Sequence, residues 1–170
     1  MSQSRRLFLQ VLALGLLLPA VMSAASPLPT PTGQVLLHVT GNIAITNSEQ
    51  GAAFDRAMLQ DLDWVEVETY TAFTEGPQRF AGPTLASVLA AVGAQGDILR
   101  ATAINDYSVQ IPVVHASAHD VLLAMDMNGR PMRVRDKGPI WVVYPMTQLE
   151  AEAHPFDGQM IWQLTQIRID

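Results

Sequence analysis

The chain has 170 residues, 49 % of them hydrophobic, with a formal net charge of −6 and no cysteine. The length bounds it to one domain or little more. The acid excess argues against nucleic acid as a partner. The missing thiols exclude a thiolate nucleophile, a disulfide and a cysteine-ligated metal.

The elements begin with a leader. Arg5 and Arg6 precede an apolar run from Leu7 to Leu18, interrupted at Gln10 and Gly15 and ended by Pro19. Ser23-Ala24-Ala25 supplies the small residues of a cleavage site, so residues 1–25 are expected to be a cleaved export signal. The run is shorter than the ~20 residues that cross a bilayer, and an uncleaved anchor is the alternative. Ser4-Arg5-Arg6-Leu7-Phe8-Leu9-Gln10 resembles the twin-arginine export signal, departing at Gln10. An ordinary secretory signal holding two arginines is the competing reading. Pro27, Pro29 and Pro31 make residues 26–33 an extended leader, and residues 34–170 are left as one domain. Cleavage removes two bases and no acid, so eight basic residues face sixteen acidic ones at a net −8.

Gln34 to Val39 reads as a strand. Ser48 to Leu62 is predicted to be a helix capped by Ser48, with Ala52, Ala53, Ala57, Met58 and Leu62 near helical spacing. Trp64 to Tyr70 alternates with period two, a strand. Gly76-Pro77 and Gly82-Pro83 mark Glu75 to Gly82 as a loop, and a short helix starts at Pro83 or Thr84 and stops at Gly93. Ile98 to Ile104 and Tyr107 to Val114 are strands about an Asn105-Asp106 turn. Val121 to Met127 is a strand or short helix, and Asn128-Gly129 is the strongest hairpin signal in the chain. Ile140 to Tyr144 is a continuous apolar strand, Gln148 to Gly158 a polar loop, and Ile161 to Ile169 a closing strand. No further stretch of 18 apolar residues predicts a membrane span.

Common catalytic sets are missing. There is no Gly-x-Ser-x-Gly, no phosphate loop and no convincing Ser/His/Asp triad. His115 and His119 are spaced to share a helix face, yet no third ligand accompanies them, and solvent-facing histidines are the preferred reading. Glu66 and Glu68 share one strand face, better read as solvated than catalytic, and His154 falls in a polar loop. The basic residues say more: four of the eight outside the leader fall between Arg130 and Lys137. On an extended segment Arg133, Arg135 and Lys137 would share a side. They lead into Gly138-Pro139-Ile140-Trp141, which suits an oxyanion or heterocycle site. A salt-bridged surface strand balancing Asp126 and Asp136 suits the same residues.

Three blocks carry a family resemblance. The first is Arg79-Phe80-Ala81-Gly82-Pro83-Thr84-Leu85 with Val88-Leu89 and Val92-Gly93-Ala94. The second runs from Ala101 to Pro112 and on through Leu122 to Met125 and Asn128 to Met132. The third is Lys137 to Pro145, closing on Trp162 to Ile167. Together they resemble the molybdopterin-binding domain of the sulfite oxidase type. The resemblance implies an α+β fold of mixed, curved β-sheets with a few short helices. In that family a cysteine just before the first block ligates molybdenum. The matching stretch here is about Thr69 to Thr71, where no cysteine stands. A hydroxyl is no equal substitute for a soft thiolate. The chain is similar to small, cysteine-free periplasmic pterin-binding regulators of the PruR type. That similarity implies a periplasmic location and a reduced, molybdenum-free pterin as ligand. It also implies a partner: the periplasmic part of a membrane enzyme that makes or degrades cyclic di-GMP. The alternatives are a molybdopterin-dependent oxidoreductase that holds its metal through the pterin alone, and a docking module without ligand.

A pterin needs an aromatic wall and in-plane donors and acceptors. Asp106 is expected to accept from the ring N–H and amino group, Arg135 or Lys137 to donate to the carbonyl or a ring nitrogen, and Tyr107 and Trp141 to form the wall. Asn105 can donate and accept, and Gly138 completes the binding set. Asp106 equally suits a turn, Tyr107 strand filling and Trp141 the core.

Overall fold

A computed structural model describes residues 28–170. The export-signal reading, and the start of the proline leader with it, lies outside these residues. Eleven strands and four short helices are described, in three sheets. The expected α+β class with mixed sheets is what the chain forms.

The largest sheet has the order β2 (Ala52–Asp55), β1 (Val35–Gly41), β11 (Leu164–Ile169), β5 (Ile98–Ala103), β6 (Ser108–Pro112). β1 and β11 lie parallel at its centre, and the other pairs are antiparallel. Alternation decides their faces. Leu37 and Val39 are buried while His38 is exposed, and Ile167 and Ile169 are buried while Arg168 is exposed. β5 (Ile98–Ala103) and β6 (Ser108–Pro112) form the predicted hairpin.

The predicted helix from Ser48 is shorter and starts later. Ser48 and Gly51 close a turn, with Gly51 at φ 132, a conformation that interrupts a helix. Asn47 then clamps Ala53, accepting its N–H at 2.7 Å and donating to its C=O at 2.9 Å. Ala52–Asp55 pairs with β1 as β2, with every residue buried. The helix α1 is only Arg56–Gln60, capped by Asp55, which accepts from Met58 N–H. The cap bond and bonds from Gly33 and Thr32 N–H hold the Asp55 carboxyl below the usual carboxylate range.

The second sheet runs β3 (Trp64–Thr69), β4 (Gln78–Pro83), β8 (Asp126–Met127), β9 (Arg130–Pro131). β3 is its edge, with Glu66 and Glu68 exposed along it, which discourages pairing with another chain. β4 (Gln78–Pro83) occupies much of the stretch expected to be a loop. Its Gly82 is there for close approach: a Cβ would lie 2.0 Å from Leu123 O. The short helix expected from Pro83 or Thr84 is α2 (Leu85–Ala91), with Thr84 as its cap. α3 (His115–Ala118) is a single turn, and β7 (Leu122–Ala124) pairs with β10 (Trp141–Val143) in a two-stranded sheet. β8 (Asp126–Met127) and β9 (Arg130–Pro131) fold about Asn128-Gly129, both at positive φ, as that dipeptide predicts. Arg56 reaches Asp126 at 2.7 Å, tying α1 to this hairpin.

Two further expectations change. Val134–Asp136 is a 3-10 turn, so Arg133, Arg135 and Lys137 do not share the side that an extended segment would give them. Within the expected polar loop, Gln148–Glu152 is helix α4. Thr147 and Glu150 form a reciprocal capping box, which satisfies two orphan donors and keeps the Glu150 carboxyl below its ordinary range. The core lies between the sheets and under α2, with Phe54, Phe80, Trp141 and Tyr144 its largest fully buried side chains.

Candidate functional site

The β5–β6 turn builds one wall of a cleft. Asp106 N–H donates to Ala103 C=O at 3.1 Å, and Ala103 N–H to Tyr107 C=O at 2.8 Å. Asn105 Oδ1 accepts from Tyr107 N–H at 3.2 Å, an Asx turn. Asp106 takes the left-handed position at φ 65, which Asp tolerates better than most residues. Asn105 and Tyr107 line the cleft on either side of it. Gln163 ties this turn to the basic segment. Its C=O accepts from Ile104 N–H, its N–H donates to Lys137 C=O, and its side-chain NH2 donates to Val134 C=O at 2.9 Å.

The aromatic wall comes from elsewhere in the chain. Trp162 and Phe73 meet edge-on at 5.3 Å and 79°, and both line the cleft. Trp141 lies behind them, fully buried, its indole N–H donated to Met160 C=O at 3.1 Å. It packs edge-on against Phe80 and Trp162, at 5.2 and 6.3 Å. Trp162 is 38 % exposed and Tyr107 59 % exposed, so both keep open faces. Lys137 Nζ stands 5.4 Å from the Trp141 ring centre and 5.7 Å from that of Trp162, a cation against two π-systems. The cleft encloses about 420 Å³, within the usual range of small-molecule sites.

Of the expected set, the structure brings Asn105 and Tyr107 to the cleft lining. It does not bring Asp106, Arg135, Lys137, Gly138 or Trp141 there: Lys137 stands over Trp162, which lines the cleft, and Trp141 lies behind the wall. Asp106 shapes the turn. Arg135, its side chain 71 % exposed, faces Asp136 at 3.8 Å. Arg133 holds the same carboxyl at 2.7 Å, and that hydrogen bond keeps Asp136 below its ordinary range. Gly138 is a packing position, because a Cβ there would lie 2.2 Å from Met132 O. Phe73, Asp157 and Gln163 were not singled out from sequence. Trp162 enters the sequence reading only as part of the third block.

The corner where the family's cysteine would stand is committed to other bonds. Thr69 Oγ1 donates to Met146 C=O at 3.0 Å and accepts from Met146 N–H at 2.6 Å, and it is buried. Thr71 Oγ1 accepts from Phe73 N–H and pairs with Thr74 Oγ1 at 2.9 Å. These hydroxyls brace the loop that carries Phe73. Among the described residues no group of three or more His, Cys, Asp or Glu side chains is arranged to hold a metal ion. The cleft fits a flat heterocycle; the threonine corner does not fit a thiolate-held molybdenum.

His115 and His119 belong to a closed aromatic cluster. Their rings meet at 4.8 Å, His115 Nδ1 lies 3.0 Å from Tyr144 Oη, and Phe156 stacks on Tyr144 at 4.3 Å and 13°. Burial, then the neighbouring His119, lowers the His115 pKa, and burial raises that of Tyr144. Glu66 pairs with Arg79 at 3.6 Å on the exposed edge, and His154 holds Asp157 at 2.6 Å.

Residues 29–151 match the family model of the oxidoreductase molybdopterin binding domain. No curated protein matches the chain. The matched span contains Phe73, the β5–β6 turn, the basic segment and Trp141, whereas Asp157, Trp162 and Gln163 lie beyond it. With well over half of its length matched, the chain belongs to the oxidoreductase molybdopterin-binding domain family.

Proposed function

We propose that this protein is an exported, non-catalytic pterin sensor. It binds a reduced pterin without molybdenum in the cleft of Phe73, Tyr107 and Trp162, and reports occupancy to the periplasmic part of a membrane signalling protein, such as a cyclic di-GMP enzyme. The observation that carries the reading is the combination of an open aromatic cleft with a thiol-free corner. The ring has a wall to stack on, while Thr69 and Thr71 use their hydroxyls within the fold. The twin-arginine-like leader supports export. No reaction is needed for signalling: occupancy need only favour one surface or conformation over another, and the effect on the partner is limited by that difference in affinity.

The test is protein purified from the periplasm of its own host, denatured, with the released small molecule identified by mass spectrometry and molybdenum assayed on the same sample. Stoichiometric pterin without metal is the expected result. Pterin with molybdenum would make the protein an oxidoreductase, and neither would leave a docking module. Export is tested separately: Arg5→Lys with Arg6→Lys is expected to abolish most periplasmic protein, and undiminished export would assign the general secretory route.

A further inference from the structure

Asp157 carries a feature that neither the fold nor the family match explains. It lines the cleft, and its side chain is 27 % exposed. Oδ2 accepts from His154 Nδ1 at 2.6 Å, yet Oδ1 is buried with no hydrogen-bond partner among the described residues. A buried carboxylate oxygen left unpaired is unfavourable, and such an exception requires a cause. The cleft itself provides one. Asp157 and Trp162 line the same cleft.

The other polar groups around the cleft complete a pattern. Asn105 uses its oxygen on Tyr107 N–H, which leaves its NH2 as a donor. Gln163 uses its NH2 on Val134 C=O, which leaves its oxygen as an acceptor. Lys137 adds a cation above the aromatic wall. One side of the cleft therefore presents a carboxylate, and the rest presents donors and one neutral acceptor. A flat ligand complementary to this has paired N–H donors on one edge and a carbonyl or ring nitrogen elsewhere.

We propose that Asp157 reads the amino-pyrimidinone edge of the ligand, accepting from its amino group and adjacent ring N–H, with His154 holding the carboxylate in place. This inference rests on the pterin reading and deepens it: the site selects 2-amino-4-oxo heterocycles over their 2-oxo counterparts. It also moves the two-point acceptor from Asp106, which shapes the turn, to Asp157. A lumazine carries a carbonyl where a pterin carries the amino group. That carbonyl would face the carboxylate, leaving the acceptor unpaired and repelled.

The experiment measures tetrahydropterin and tetrahydrolumazine binding anaerobically by calorimetry, on the wild type and on Asp157→Asn. The wild type is expected to prefer the pterin by roughly 10–100-fold, the weight of a charge-assisted hydrogen bond. Asp157→Asn is expected to abolish that preference while the thermal midpoint stays within a few degrees. A wild type that binds both compounds equally overturns the role of Asp157 and leaves the pterin site standing, as does a variant that keeps the preference. Equal wild-type binding of the two compounds overturns that role even if the variant misfolds. A wild type that binds neither compound removes the pterin reading and this inference with it.

Discussion

Two aromatic clusters flank the segment from His154 to Gln163, and they differ in what their faces and polar atoms do. On one side Tyr144, Phe156, His115 and His119 close on one another: Tyr144 is fully buried, its hydroxyl meets His115, and Phe156 stacks flat against it. On the other side Phe73, Tyr107 and Trp162 leave faces open, beside a carboxylate oxygen without a partner among the described residues. Aromatic content is similar, so it does not mark the site. The mark is the unmatched face and the unmatched polar atom, since a structural cluster satisfies its own groups.

The two tryptophans sharpen this contrast most. Trp141→Ala is expected to destabilise the protein by about 3–5 kcal/mol, because a large buried side chain leaves a cavity and its N–H bond to Met160 is lost. Trp162→Ala is expected to destabilise by less than Trp141→Ala does, about 1.5–3 kcal/mol, as burial there is partial, while pterin binding falls by at least about tenfold for loss of one stacking face. Chemical denaturation and calorimetry measure both. Equal destabilisation by the two variants would merge cleft wall and core into one unit. Next in size is Gly138→Ala, expected to cost about 1–3 kcal/mol by overpacking against Met132. Unchanged stability there would show that the strand-entry segment yields easily.

The closed cluster makes a smaller, pH-dependent prediction. Burial lowers the His115 pKa below its ordinary 6.5, so the fold favours the neutral ring. The unfolded chain takes up the proton first as pH falls. Stability should therefore decline as pH drops through 6.5 toward the lower folded value, and level off below it. Denaturant midpoints between about pH 7.5 and 5 avoid the carboxylate range, where the lowered values of Asp55, Asp136 and Glu150 remove further stability on protonation. His115→Phe should flatten the upper part of the profile. Tyr144→Phe should cost about 0.5–1.5 kcal/mol, the weight of one hydrogen bond. A flat wild-type profile would place His115 in a solvated setting.

Much of the fold was legible because period and punctuation agree with burial. The Asn128-Gly129 hairpin, the Thr84 cap and the β5–β6 pair follow from local rules. β4 was hidden because Gly82-Pro83 reads as loop, whereas Gly82 is there to let Leu123 approach. The Ser48 helix failed because helical spacing of alanines competes with the Gly51 turn and the Asn47 clamp on Ala53, after which Ala52–Asp55 pairs with β1. Helix α4 carries its signature, Thr147-Gln148-Leu149-Glu150, in a segment whose polarity reads as loop. Of the site, Asn105, Tyr107 and Lys137 could be named because the turn and the basic run are local features. Asp157 and Gln163 could not, since what distinguishes them is a missing partner and a bridging bond formed only in three dimensions.

The basic run gives the smallest expected effect and separates local from distant charge. Alternation put Arg135 beside Lys137 on one face, and the 3-10 turn removes it. Lys137 lies over the tryptophans, whereas Arg135 is largely solvated and its nearest carboxylate already has Arg133 at 2.7 Å. An exposed pair of this kind contributes about 0–1 kcal/mol, and the reach of a solvated charge is cut by screening at physiological salt. Arg135→Ala should therefore leave the thermal midpoint almost unchanged and pterin affinity within about twofold, whereas Lys137→Met should weaken binding about 3–10-fold through loss of the cation over the wall. Calorimetry on the two variants checks this directly. A larger loss from Arg135→Ala than from Lys137→Met would mean that the bound ligand extends out of the cleft along the basic segment, with an anionic group reaching Arg135.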